Sequence, residues 1–269
     1  MPARIHTFQT PEPLSLRVRN PAGQVLITAE ETAETTVEIL PRGGSGRDGA
    51  DGTRVELSGD GRHLDIEAPE RRFGSAGRLA ITVRLPVGSR VSARTASADL
   101  TCRGPVGDLE VSTASGDVTA DRVDGDTNAA SASGDISFGT VTGSVECKTA
   151  SGDVRAHSVG GSCRATSASG DVSVGDCAGE VQVRTASGDV QIRQAERGAV
   201  HVTTMSGDVR VGVRRGTLVW LDLSTLSGHT RSDLETQQDA PADDAEVLSI
   251  SIRTMSGDIS LAPSTHPVA

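Results

Sequence analysis

Between residues 107 and 190 apolar and polar residues alternate in nine-residue blocks, each opened by a glycine. A block reads Gly, polar, Val, polar, Val/Ala/Cys, polar, polar, Ala/Val, small, as in Gly143-Ser-Val145-Glu-Cys147-Lys-Thr-Ala150-Ser151. Apolar residues at the third and fifth places have the period of a strand with one face turned inward. Glycine and aspartate at the block boundaries are turn formers. Each block therefore predicts one strand and one turn.

Every second boundary carries Thr/Ser-Ala-Ser-Gly-Asp-Val. It occurs as Thr113–Val118, Ser131–Ile136, Thr149–Val154, Ser167–Val172 and Thr185–Val190, with variants at Thr95–Leu100, Thr204–Val209, Thr225–Thr230 and Thr254–Ile259. The motif serines Ser97, Ser115, Ser133, Ser151, Ser169 and Ser187 are spaced by 18, and the spacing drifts at Ser206, Ser227 and Ser256. Gly107, Gly125, Gly143, Gly161 and Gly179 lie nine residues before the motif glycines, so the 18-residue unit is two nine-residue halves.

This pattern predicts an all-β, right-handed parallel β-solenoid, a flattened two-sheet roll whose coils stack at about 4.8 Å. Residues 89–215 form its regular part. Residues 1–88 lack the motif but alternate like strands, in Leu14-Ser-Leu16-Arg-Val18, Val25-Leu-Ile27, Val55-Glu-Leu57 and Leu79-Ala-Ile81-Thr-Val83, and predict irregular β-coils forming a cap. The Gly- and Asp-rich stretch Gly43–Thr53 reads as a loop or hairpin tip. Residues 216–269 predict C-terminal coils interrupted by an acidic loop, 232–246. The repeat resumes at Leu248-Ser-Ile250-Ser-Ile252-Arg-Thr-Met255, with Pro263 and Pro267 expected to blunt a final edge.

Composition adds a constraint on the interior. Tyrosine is absent, Trp occurs once and Phe three times, so small side chains must fill the core, as thin stacked layers allow. A net charge of −10 excludes a nucleic-acid-binding face and disfavours an anionic membrane surface. Met1–Asn20 holds no apolar run of signal-peptide length and no later stretch reaches a membrane span, so a cytoplasmic chain with no membrane insertion is expected. Cys102, Cys147, Cys163 and Cys177 form no CxxC pair, lack metal-ligand spacing and occupy inward places, which predicts buried free thiols and neither metal nor cofactor.

Three segments carry a family resemblance: Leu85-Pro86-Val87-Gly88 leading into Thr95-Ala-Ser97, the run of Ser-Gly-Asp coils, and Thr254-Met-Ser-Gly-Asp-Ile259. On these the chain resembles the bacterial β-strand-repeat family of putative adhesins, or toastrack domains, a family of unknown function. The likeness covers nearly all of the chain. It implies a solenoid fold of a kind often attached to membrane or envelope-stress modules.

The motif serines recur at structural spacing, whereas a nucleophile is one activated copy beside a base, so no catalytic residue is expected. His6, His63, His157, His201, His229 and His266 form no close-spaced pair, and the single lysine, Lys148, stands at an outward place. Asp117, Asp135, Asp153, Asp171, Asp189 and Asp208 should stack as a structural turn ladder, each carboxylate holding its own turn. The Gly-Gly-x-Gly-x-Asp pattern of calcium-binding rolls is missing. Trp220 should face away from Leu221 and Leu223, either beneath the acidic loop or as an anchor for a partner. The function expected is a non-catalytic scaffold or interaction module that binds a protein partner, unknown in identity, or itself. The alternatives are a carbohydrate-binding or carbohydrate-active β-helix, and a self-assembling, filament-type solenoid.

Overall fold

Alternation of this kind leaves few choices but strands, and the computed structural model is strand almost throughout. It describes residues 3–42, 46–69, 77–234 and 247–264, and the chain divides into two units, Met1–Gly139 and Thr140–Ala269.

The first unit holds β1 (Arg4–Gln9), β2 (Ser15–Glu30), β3 (Glu34–Arg42), α1 (Gly46–Gly52), β4 (Arg54–Leu57), β5 (His63–Glu67), β6 (Arg78–Pro86), β7 (Arg90–Val106), β8 (Leu109–Thr113), β9 (Val118–Val123), β10 (Thr127–Ser131) and the start of β11 (Ile136–Val141). Although β2 lacks the motif, it runs parallel to β7 from Ser15↔Arg90 to Thr28↔Arg103. From β7 the stack enters the repeat, with Val91↔Leu109, Leu100↔Val118 and Leu109↔Thr127 each 18 residues apart. On its other side β2 pairs in parallel with β5 and β6. Beyond them the direction reverses. β4 is antiparallel to β5, β3 to β6, and β1 to β3. The reversal between β4 and β5 is a tight Ser58–Arg62 turn, where Gly61 takes φ 69° and the Asp60 carboxylate accepts from Ser58 and from the Arg62 N–H.

One expectation fails here. The stretch read as a loop, Gly43–Thr53, contains the helix α1. Thr53 closes its last turn by donating its hydroxyl to the Gly49 carbonyl at 2.7 Å, and Ala50 is buried. Packing overrides the low helix propensity of glycine.

The second unit holds β12 (Val145–Thr149), β13 (Val154–Val159), β14 (Cys163–Ser169), β15 (Val172–Cys177), β16 (Val181–Ser187), β17 (Val190–Ala195), β18 (Ala199–Ser206), β19 (Val209–Val213), β20 (Leu218–Ser227), β21 (Thr230–Ser232), β22 (Val247–Ser256) and β23 (Ile259–Pro263). Parallel pairing puts Val145 beside Cys163 and Val154 beside Val172. An extra residue before β18 shifts the spacing to 19 at Val181↔Val200, and a bulge between Ile192 and Ala195 absorbs it on the other ladder.

The two block types bury different places. After the motif glycine, the third, fifth and eighth places turn inward, as Val154, Ala156 and Val159 do. In the block that leads into the motif the inward run continues to the motif Thr or Ser, so Thr149 is buried and Ala150 exposed.

At the C-terminal end the coils stack out of sequence. β22 lies between β18 and β20, and β23 between β19 and β21. The last coil in the chain thus fills an inner slot and residues 218–232 form the outer coil. This corrects the expected role of Pro263, which ends β23 beside Val213 and guards no edge. Pro267, and residues 235–246 of the acidic loop, lie outside the described residues.

Candidate interaction face

Each motif residue has a separate task. The buried Thr or Ser holds its own turn: the Gly116 N–H donates to Thr113 Oγ1 at 3.0 Å, Gly134 to Ser131 at 2.8 Å, and Gly152 to Thr149 at 3.0 Å. The glycine leaves room for the coil before it, since a Cβ on Gly134 would fall 2.0 Å from the Gly116 carbonyl oxygen.

Aspartate reaches to the next coil, not to its own turn as expected. Asp135 N–H donates to Asp117 Oδ1 at 3.0 Å, Asp171 to Asp153 at 2.9 Å, Asp189 to Asp171 at 2.8 Å and Asp208 to Asp189 at 2.8 Å. The ladder then follows the swapped coils, with Asp258 donating to Asp208 and the His229 N–H to Asp258 at 2.8 Å. The His229 N–H, the largest cause, together with the charges of His229 and Arg210 holds the Asp258 carboxyl below its ordinary pKa. A rung of the same kind stands at the other turns, where the Asp126 N–H donates to Asp108 at 3.1 Å.

Nucleophilic chemistry finds little purchase in these groups. All four cysteines are free and buried, and burial pushes the Cys102 and Cys147 thiols up to about 12, far from the reactive thiolate. Lys148 pairs with Glu146 at 2.7 Å on the surface. Among the described residues no group of three or more His, Cys, Asp or Glu is placed to hold a metal ion.

One face differs from the rest. On the outside of β16, β18, β22 and β20 the register lines up Ala199–Ser249–Trp220, then Gln182–His201–Ser251–Asp222, then Arg184–Thr203–Arg253–Ser224, and last the motif row. In that last row the alanine of earlier coils, such as Ala168 or Ala186, becomes Met205, Met255 and Leu226. These three are 56%, 53% and 81% exposed, and Trp220 is 58% exposed on the same face. Between the apolar groups lies a polar hollow of about 190 Å³, lined by Gln182, Arg184, His201, Thr203, Ser251 and Arg253. Reading the chain singled out Trp220 but not the hollow. Its only sign along the chain was the change from Ala to Met or Leu in the last three motifs.

The family described as Toastrack DUF4097 matches residues 14–262, essentially the whole strand-bearing chain. The chain belongs to the Toastrack family. Two solved structures share this Toastrack fold. A putative adhesin from Bacteroides fragilis is 12% identical, with 97% of each chain covered and a TM-score of 0.52. A putative lipid binding protein from Parabacteroides distasonis is 16% identical, with 97% of this chain and 96% of that one covered and a TM-score of 0.51. At such identities the likeness is one of fold. No curated protein matches this Toastrack chain. No helix among its described residues is long and apolar enough to cross a membrane.

Proposed function

We propose that this Toastrack chain is a non-catalytic interaction module whose outer face over β18, β22 and β20 binds a protein partner, a second copy of the chain included. The observation that carries this reading is the clustering of Trp220, Met205, Met255 and Leu226 on that one face. Large exposed apolar groups cost solubility wherever they do not serve a contact, and Trp and Met are enriched at contacts between proteins. The same motif place is alanine in the preceding coils, so the fold does not require bulk there.

A photocrosslinking residue at Met255, compared with one at Ala168, tests it in the native host. Position 255 should give one discrete crosslinked species and position 168 none. Equal crosslinking from both, or none from either, refutes the reading, and a product of twice the chain mass identifies the second copy as the partner.

A further inference from the structure

The hollow on this face has a charge that the molecule as a whole does not. The chain carries −10, yet Arg184 and Arg253 flank the short Thr203 on adjacent strands, with His201 in the neighbouring row. Two strand spacings put the arginine backbones about 10 Å apart, within reach of a single group held between them. Arg184 makes no ion pair with another described residue, and Arg253 has a loose one, 3.4 Å from Asp222. Two carboxylates stand near its lining: Asp222, which accepts from Ser251 and Arg253, and Glu180, two residues before Gln182. Guanidinium groups recognise planar oxyanions through paired N–H donors, and the Thr203 hydroxyl adds a donor between them, whereas the Ser251 hydroxyl donates to Asp222 at 3.3 Å.

The apolar groups decide what kind of oxyanion fits. Trp220 and Leu226 are six residues apart on one strand, about 20 Å, with the arginine row between. Resting on that assignment of the face to partner binding, we propose that it takes an extended acidic peptide segment of about six residues. Its central Asp or Glu lies between Arg184 and Arg253, and apolar side chains at its two ends cover Trp220 and the Met205–Met255–Leu226 row. A free phosphate would use only the hollow. An anionic bilayer would meet a chain of net negative charge through a small basic spot on this face, a poor match for surface attraction.

The full chain tests this, with Trp220, its only tryptophan, as the reporter. The probes are blocked hexapeptides with apolar ends and Asp or Glu at the centre, the same peptides with Asn or Gln, inorganic phosphate, and vesicles containing phosphatidylserine. The acidic set should shift Trp220 emission to the blue and saturate, and the neutral set should bind at least tenfold more weakly. Arg184→Gln should lose about tenfold, the size of one charge-assisted contact. Asp222→Asn should gain several-fold, because it frees Arg253 and removes a repelling carboxylate. All these side chains are outward, so unchanged thermal unfolding shows the variants intact. Equal binding of the two peptide sets would remove the arginines from recognition and leave an apolar contact face. Phosphate competing as well as peptide would make the hollow a small-anion site, and vesicle binding alone would make the face a membrane contact. Silence toward every probe, with the Met255 crosslink intact, would overturn the acidic peptide and spare the interaction reading.

Discussion

Thr149 and Asp153 stand four residues apart in one motif and hold different things together, the first its own turn and the second the next coil. A sequence shows offsets along the chain but not distances between coils, which is why the carboxylate's partner was misread while the inward and outward places were not. Val154 is legible from its period alone and is buried, whereas Lys148 is outward with its ammonium on Glu146. Val154→Asp should therefore cost about 3–5 kcal/mol, the scale for an unpaired charge in an apolar layer. Lys148→Asp should cost about 1 kcal/mol or less, the worth of an exposed pair. Thermal or denaturant unfolding of the two variants checks this, and equal losses would contradict the assignment of faces. The motif alanine was harder to place. The period of the third and fifth places assigns it no face, and continuation of the strand through the buried Thr149 turns Ala150 outward.

At the scale of an element, β20 is the least covered strand of its stack: Leu221 matches the buried Ile250 in register but is itself 36% exposed. With little apolar burial to hold it, the outer coil relies on bonds to β22 and β23 and on the rung from His229 N–H to Asp258. Folding lowers the pKa of Asp258, so its contribution is complete above the ordinary carboxylate pKa and disappears as pH falls through the lowered one. Amide exchange in residues 218–232 should accelerate as pH falls below about 4 relative to residues in β16, after correction for intrinsic rates. Asp258→Asn keeps an oxygen acceptor but not the charge and should flatten that dependence. If the wild-type and variant profiles coincide, the rung does not hold the coil. The sequence marks residues 218–232 only as C-terminal coils with a drifting motif spacing, and neither the outer position nor the rung to Asp258 is legible there.

For the whole molecule, the parallel stack followed from the 18-residue spacing because each turn returns the chain by the same amount. What spacing could not give was the order of the final coils, since Thr225-Leu-Ser-Gly228 and Thr254-Met-Ser-Gly257 suit either slot. Only four residues, 214–217, join β19 to β20, so the outer coil can also reach the slot beside β18. Deleting residues 247–269 should let it move there, leaving the β18 and β19 amides protected from exchange. Fast exchange of those amides in the shortened chain would show that the slot stays empty. Assembly thus runs against synthesis. While a nascent chain still lacks β22 and β23, residues 218–232 can occupy the inner place, and those two later strands then have to displace them to reach the observed stacking.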